Sequence, residues 1–180
     1  MVVRTPTTRR LARCPAPWLV VALLLGACGG GRGSDVGADD AGRAEVVRVV
    51  DGDTIVVRIA GADERVRLIG IDTPESVDPR SPVDCFGPEA SRATADLLPP
   101  GTPVRLVRDV EARDRFDRLL AYVYKVDDGS FVNLTLAATG YADVATFPPN
   151  VAHTDELVAA VAEARAAGRG LWGACPAEPG

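Results

Sequence analysis

Short segments in which apolar, mostly β-branched residues alternate with polar ones limit what this chain can fold into. A period of two residues is typical of a strand with one buried face. Three such segments are Val46–Val50, Thr54–Ile59 and Val66–Ile71, and residues 103–108 and 119–125 are predicted as two more strands. A turn at residues 61–63 joins the second and third of them, so we expect these two strands to pair antiparallel.

Helices are predicted between and after these strands. The three candidate helices are Pro88–Leu98, Val132–Ala138 and Thr154–Ala167. Pro88 suits the first turn of a helix, and the last segment carries an apolar stripe along one face. Five short strands with interleaved helices predict an α+β fold, mainly β, in which a small closed barrel of the five-stranded OB type carries three helices. A parallel α/β fold is disfavoured.

The N-terminal residues predict a signal peptide rather than part of the fold. Four arginines precede the apolar run Trp18–Leu25, which is too short for a permanent membrane-spanning helix. The run ends in Leu25-Gly26-Ala27-Cys28, the pattern of a bacterial lipobox, so we expect cleavage before Cys28 and a lipid on its sulfur. The alternative is an ordinary signal peptide in which Cys28 has no role.

These observations divide the chain into four parts. We expect a lipoprotein signal peptide (1–27), a flexible Gly- and Asp-rich tether (28–43), one folded domain (44–175) and a short tail (176–180). Such a protein would be exported, anchored through Cys28 to the outer face of the bacterial cell membrane, in part shed, and monomeric.

Loss of the signal peptide leaves an acidic chain. The whole sequence has 20 Lys and Arg and 25 Asp and Glu, and four of the arginines but no acid lie in residues 1–27, which leaves 16 against 25, or −9. This balance argues against non-specific binding of polyanions as the main activity. Chemistry on phosphate groups would therefore need a local site or a metal ion.

Two cysteines remain for the folded domain, Cys85 and Cys175. An even pair in an exported protein predicts a disulfide bond. Free thiols are one alternative, and a metal site is a poorer one because no His or further Cys lies near either residue in the sequence. Closing a loop of about ninety residues would contribute on the order of 4–5 kcal/mol in the chain-entropy treatment.

Acidic residues concentrate where the paired strands meet turns. Asp51 and Asp53 flank Gly52 before the second strand, and Asp72 ends the third. Antiparallel pairing brings Asp53 beside Asp72, and two carboxylates this close repel unless a cation joins them. Oxygen ligands select a hard ion, Ca²⁺ or Mg²⁺. The alternative is an ordinary polar hairpin turn.

Two arginines could complete this site. Arg118 lies in the segment RDRFDRLLAYVY, and Arg67 precedes Asp72 by five residues, which in an ideal strand would put their side chains on opposite faces. A metal, a carboxylate base and two guanidiniums suit hydrolysis of a phosphodiester. The cations stabilise the charge that develops on the phosphate, and the base orients or deprotonates water.

Five motifs follow one another between about Ala44 and Trp172: VVDGDTIVV, VRLIGIDTPE, DRFDRLLAYVY, VNLTLAATGYA and GLWG. In this order and spacing they resemble the staphylococcal-nuclease-like (thermonuclease) family. The resemblance implies a calcium-dependent extracellular nuclease that hydrolyses phosphodiester bonds of DNA and RNA. It also implies a role for each site residue: Ca²⁺ ligands (Mg²⁺ as the alternative ion) at Asp53, Asp72 and the carbonyl of Thr73, with Asp51 just outside them, a general base at Glu75, and phosphate contacts from Arg67 and Arg118.

The sequence departs from the family pattern at two positions. Phe116 stands where the family often has a tyrosine, and Ala145 stands where a second one is expected. We expect these losses to change substrate affinity and preference rather than the reaction. The alternative function is a catalytically inactive OB-fold module that binds nucleic acid or an envelope partner, but such a module has no need of all the site residues together.

Overall fold

The computed structural model describes residues 42–76 and 83–175. The strands are β1 (Arg43–Asp51), β2 (Thr54–Ile59), β3 (Ala62–Leu68), β4 (Gly70–Asp72), β5 (Pro103–Val107), β6 (Leu119–Lys125) and β7 (Asp143–Ala145). The helices are α1 (Gly87–Leu97), α2 (Val132–Thr139), α3 (Thr154–Ala166) and α4 (Leu171–Ala174). The predicted signal peptide, most of the predicted tether with Cys28, and the predicted tail lie outside the described residues. Within the described ranges, every helix is too short or too polar to cross a membrane.

Five strands close into a barrel in the order β1-β2-β3-β6-β5. The first three form an antiparallel meander, β3 runs parallel to β6, and β5 pairs antiparallel with both β6 and β1. Alternate residues point inward and are fully buried, as with Ile55 and Val57 of β2 and Val66 and Leu68 of β3. The barrel and its helices confirm the predicted OB-type α+β fold.

The prediction of one strand over Val66–Ile71 is wrong, because the chain bends within it. β3 ends at Leu68, and Gly70 turns the chain with a φ of 82°, a conformation that glycine adopts without strain. From this bend β4 enters a separate two-stranded sheet with β7. With only three residues, β7 carried too little periodicity to be predicted.

The three predicted helices occur within one residue of their expected bounds, and the single-turn helix α4 was not predicted. The main core lies where α2 and α3 pack against the barrel, and it includes Leu98, Leu136, Leu157 and Val161. The burial of this apolar surface is the main stabilising term of the fold.

The side chain of Asn133 ties α2 to the bend between β3 and β4. This buried amide accepts the N–H of Val123 at Oδ1 (3.0 Å) and donates from Nδ2 to the carbonyl of Ile69 (2.8 Å). The N–H of Val123 in β6 and the carbonyl of Ile69 at the bend are thereby both satisfied in the interior. Asn133 thus holds the bend between Arg67 and Asp72 in place through its hydrogen bond to Ile69.

A disulfide bond joins Cys85, just before α1, to Cys175, just after α4, with the two Cα atoms 5.9 Å apart. This is the pairing that the sequence predicts. It fastens the end of the described chain to the segment that follows the loop after β4.

Candidate active site at one end of the barrel

One guanidinium, that of Arg67 on β3, contacts both carboxylates that the sequence proposes as metal ligands. Its Nη2 lies 3.0 Å from Asp53 Oδ2 and 2.6 Å from Asp72 Oδ1. Its Nη1 donates to the carbonyls of Leu68 and Ile71 at 2.5 and 2.8 Å. With these four partners the side chain is only 13% exposed, so its position is strongly fixed.

The bend at Gly70 removes the difficulty of opposite strand faces. Arg67 belongs to the barrel, whereas Asp72 ends β4 in the second sheet, so the alternation of a single strand does not apply to the pair. The change of direction brings the two side chains into contact. This contact could not be derived from an ideal strand.

The carboxylate of Asp53 connects the β1–β2 turn to the loop that follows β4. It is buried, its Oδ1 accepts the hydroxyl of Thr54 at 2.9 Å, and its Oδ2 accepts the N–H of Thr73 at 3.2 Å. Together with the contacts of Arg67, these bonds gather Asp53, Asp72 and Thr73 into one cluster. The structure therefore brings the three predicted metal ligands together.

The carboxylate of Asp72 is the more open member of this cluster. Partial desolvation, opposed by the charge of Arg67, raises the pKa of Asp72, and the carboxylates of Asp53 and Asp143 add to the rise. Asp143 stands directly opposite Asp72 in the β4–β7 pair. The Asp72 side chain is still 64% exposed, so water and ions can reach it.

The donor atoms of the cluster are of the kind that a hard divalent cation prefers, and in this structure the guanidinium of Arg67 contacts both carboxylates. Asp53, Asp72 and an oxygen of Thr73 form an all-oxygen donor set. Thr73 also carries a buried Oγ1 that has no hydrogen-bond partner in the described part of the chain. In that same part, no three His, Cys, Asp or Glu side chains converge as a complete metal cage. The donors present suit an ion that keeps water or takes a ligand from a substrate, as Ca²⁺ and Mg²⁺ do.

Arg118 is oriented by an aspartate that the sequence analysis did not single out. Its Nε and Nη2 both lie 2.7 Å from Asp114 Oδ2, and its backbone N–H donates to Asp114 Oδ1 at 3.0 Å. Its Nη1 lies 3.4 Å from the hydroxyl of Thr54, which donates to Asp53. Thr54 thus links Arg118 to the carboxylate cluster. The spacing of four residues between Asp114 and Arg118 was the signal that could have revealed the pair.

Glu75 lies in the loop after β4, beside Asp51 at the end of β1. Burial raises the pKa of Asp51, and hydrogen bonds from the Ser76 hydroxyl and the Gly52 backbone oppose this rise. The neighbouring carboxyl group of Glu75 raises the pKa of Asp51 further, through a hydrogen bond and through its charge. Ser76 Oγ donates to Asp51 Oδ1 at 2.6 Å. The predicted base, Glu75, therefore contacts Asp51. Asp51 is two residues before Asp53 in the sequence.

A groove of about 540 Å³ lies next to Arg67, Asp72 and Arg118. Two of its lining residues, Phe116 and Phe147, are aromatic and 64% and 73% exposed. The guanidinium carbon of Arg118 is 5.5 Å from the centre of the Phe116 ring. Ala145, the position at which a tyrosine was expected, also lines the groove. Exposed rings beside cationic groups offer faces on which planar ligands can stack.

A closed OB-type barrel with carboxylates and two fixed guanidiniums at one end defines a protein with a candidate cation- and phosphate-binding site. The family described as "Staphylococcal nuclease homologue" matches residues 65–174. The chain is 42% identical over 127 residues to a thermonuclease of Staphylococcus intermedius, and 38% identical over 128 residues to a thermonuclease of Staphylococcus hyicus; each alignment covers 71% of this chain and 74% of the relative. The chain belongs to the staphylococcal nuclease family.

A third relative is longer than this chain. The SPbeta prophage-derived endonuclease YokF of Bacillus subtilis (strain 168) is 38% identical over 126 residues, which cover 69% of this chain and 42% of that protein. The resemblance found in the sequence motifs is confirmed by these matches.

Proposed function

We propose that this chain is a calcium-dependent nuclease that hydrolyses phosphodiester bonds of DNA and RNA. The observation that carries the proposal is the contact of Arg67 with both Asp53 and Asp72, with Arg118 linked to the same cluster through Thr54. Family membership and the names of the thermonuclease and endonuclease relatives support it. Hydrolysis of a phosphodiester needs positive charge around the phosphate and a carboxylate that acts on water.

Arg67 and Arg118 are suited to bind the scissile phosphate. A guanidinium carries N–H donors in a fixed plane, which matches the oxygens of a phosphate group. Both Nη atoms of Arg67 donate to protein groups in this structure, so Arg67 would exchange its carboxylate contacts for the phosphate. Asp114 already orients Arg118, so little side-chain freedom is lost when substrate binds. Because negative charge on the phosphate oxygens grows toward the transition state, we expect these arginines to act more on kcat than on KM.

Glu75 supplies the carboxylate that orients and deprotonates the attacking water. A general base must lie within hydrogen-bonding reach of the water that it activates, so its position matters as much as its protonation state. The contact with Asp51 holds the carboxyl group of Glu75 near the turn that carries Asp53. We expect the base to act on the water from the side of β1.

Asp53, Asp72 and the carbonyl of Thr73 would hold Ca²⁺, with Mg²⁺ as the alternative ion. When bound, the ion supplies Lewis-acid stabilisation of the charge on the phosphate. Calcium is favoured because it accepts irregular sets of oxygen ligands, whereas Mg²⁺ requires nearly ideal octahedral geometry. Titration of cleavage and of thermal stability with each ion tests the choice, and full activity in excess chelator would exclude a metal requirement.

The groove beside the arginines supports a single-stranded or frayed substrate. Unpaired bases can stack on the exposed rings of Phe116 and Phe147, and stacking of this kind contributes about 1–3 kcal/mol per base with little sequence preference. A double helix keeps its bases stacked on one another and so cannot use these rings. Since the exported chain would carry a net charge of −9, we expect local contacts rather than a basic surface to hold the strand.

The test of the activity is cleavage of single- and double-stranded DNA and RNA by the purified chain with Ca²⁺. We expect both sugar types to be cut, single strands faster than duplexes. An Arg67→Ala, Arg118→Ala double variant is the control for contaminating nucleases. Binding of these nucleic acids without cleavage would favour the rival interpretation as an inactive OB-fold module.

For the location, we propose export and attachment by a lipid at Cys28 to the outer face of the cell membrane. The support is the lipobox pattern after a short apolar run, which precedes the described residues. Cys28→Ser should abolish lipid labelling and leave the precursor uncleaved. Labelling that persists in this variant would contradict the assignment.

A further inference from the structure

The backbone of Glu75 is held at two points by one residue, Asp84. Asp84 Oδ2 accepts the N–H of Glu75 at 2.9 Å, and the N–H of Asp84 donates to the carbonyl of Glu75, also at 2.9 Å. The two bonds fix the peptide groups on either side of the Glu75 Cα atom. They therefore set the direction in which its side chain leaves the backbone.

The start of α1 reinforces this clamp. The N–H of Gly87, the first residue of α1, donates to the carbonyl of Asp84 at 3.0 Å. A Cβ atom at Gly87 would lie only 2.5 Å from the carbonyl oxygen of Glu75, so the two backbones can approach this closely only because residue 87 is glycine. The helix start and the Glu75 loop are thus in direct backbone contact.

The residue next to Asp84 fastens the clamp to the rest of the domain. Cys85 forms the disulfide bond with Cys175, which follows α4. Phe86 then stacks on Tyr141, with ring centres 5.4 Å apart. The segment that holds Glu75 is therefore attached to the helical side of the domain by one covalent bond and one aromatic contact.

We propose that Asp84 is a positioning residue for Glu75, and that the Cys85–Cys175 disulfide keeps Asp84 in place to do so. The inference rests on the proposed function, in which Glu75 acts on the attacking water. Asp84 itself need not touch substrate, metal or water. Because misplacement of a catalytic group by about 1 Å can cost on the order of 10²-fold in rate, a clamp on its backbone has a direct effect on turnover.

Three single variants test the role of the Asp84 carboxylate. Asp84→Ala removes the acceptor for the Glu75 N–H, and we expect kcat to fall roughly 10–100-fold while KM changes little. Asp84→Asn keeps an acceptor oxygen and should recover most of the activity. Asp96→Ala removes an exposed carboxylate on α1 and is the matched control, with no expected effect.

Hydrogen exchange at the Glu75 amide gives a readout that does not depend on activity. In the wild-type protein this N–H should exchange slowly, and in Asp84→Ala it should exchange much faster, while amides of the barrel strands stay protected. Unchanged exchange at Glu75, an unchanged kcat in Asp84→Ala, or an equal loss in Asp84→Ala and Asp84→Asn would each overturn the positioning role.

The disulfide is tested by the Cys85→Ser, Cys175→Ser double variant. If the disulfide acts through Asp84, adding Asp84→Ala should lower kcat less in this background than in the wild type. Fully additive losses would overturn that part of the proposal. A double variant that does not fold would overturn it as well, because the disulfide would then support the whole domain rather than act through Asp84. A wild-type protein without any cleavage contradicts the proposed function together with the clamp, whereas an active wild type with an unaffected Asp84→Ala contradicts the clamp alone.

Discussion

Replacement of Arg67 by alanine should destabilise the protein in the absence of divalent ions. The change removes a guanidinium that is 13% exposed and leaves Asp53, whose side chain is 10% exposed, without its cationic partner. Removal of one partner from a buried ion pair costs about 3–5 kcal/mol. Asp53 keeps its hydrogen bonds from Thr54 and Thr73, and Asp72 is open to water. We therefore expect the free energy of unfolding to fall by about 3 kcal/mol, near the lower end of this range.

Calcium should restore more stability to Arg67→Ala than it adds to the wild type. Without Arg67, the carboxylates of Asp53 and Asp72 face each other with no positive charge between them. A divalent ion that binds there is therefore attracted by both carboxylates. An ion that binds only the folded state stabilises it by about 2.7 kcal/mol at a hundredfold excess over its Kd. The variant should therefore approach wild-type stability at high Ca²⁺ while remaining a poor enzyme.

Urea unfolding in chelator and in Ca²⁺ measures both effects. Arg58→Ala is the matched control, because Arg58 pairs with Asp63 at the surface, where the side chains are 51% and 49% exposed, and such a pair contributes at most about 1 kcal/mol. If Arg67→Ala is no less stable than Arg58→Ala in chelator, or gains no more than wild type from Ca²⁺, the account of this cluster is wrong.

Three further changes test other parts of the structure. Thr54→Val, which removes the hydroxyl between Asp53 and Arg118, should lower activity or metal affinity roughly 10–100-fold, measured by cleavage kinetics and calcium titration. Asn133→Leu leaves two buried backbone groups without partners and should cost about 2–3 kcal/mol in urea unfolding; an unchanged midpoint would contradict this. The backbone N–H of Ala152 and a tyrosine hydroxyl lower the pKa of Asp109 in the folded state. The ionised carboxylate therefore stabilises the fold fully at pH values above its ordinary pKa of 3.8, and this stabilisation is lost as the pH falls through the lower pKa of the folded state. Asp109→Asn should flatten that acid-induced loss in pH-dependent unfolding, and a curve parallel to wild type would refute the assignment.

Much of the fold could be predicted because local patterns and the tertiary structure agree. The β-branched run Thr54–Ile59 forms a strand whose first four residues are all buried, and the apolar stripe of α3 corresponds to a buried face with Leu157, Val161 and Ala164. The split between β3 and β4 could not be predicted, since the apolar residues continue across Gly70 and only the pairing partners change. A three-residue strand such as β7 has no detectable period.

Some features of the candidate site could likewise be predicted from the sequence, and others could not. Asp53 and Asp72 do come together, but not through the predicted strand pairing: Thr54 stands opposite Arg67, and Asp72 reaches the cluster from β4, after a bend that strand periodicity does not reveal. The contact of Asp84 with Glu75 could not be predicted, because the two residues lie nine positions apart outside the strands and helices, where no periodic pattern indicates which groups meet. Motifs carry the groups that touch ligands, whereas the supporting contacts follow from the tertiary structure.

The most direct test of the proposed mechanism is the cleavage rate of Glu75→Gln, measured at saturating substrate and Ca²⁺ together with substrate affinity. Glutamine has almost the same shape as glutamate but cannot accept a proton from water, so loss of the general base should lower kcat by roughly 10²–10⁴-fold while substrate binding changes little. Circular dichroism would verify that the variant is folded. A folded Glu75→Gln protein that turns over at nearly the wild-type rate would contradict the account.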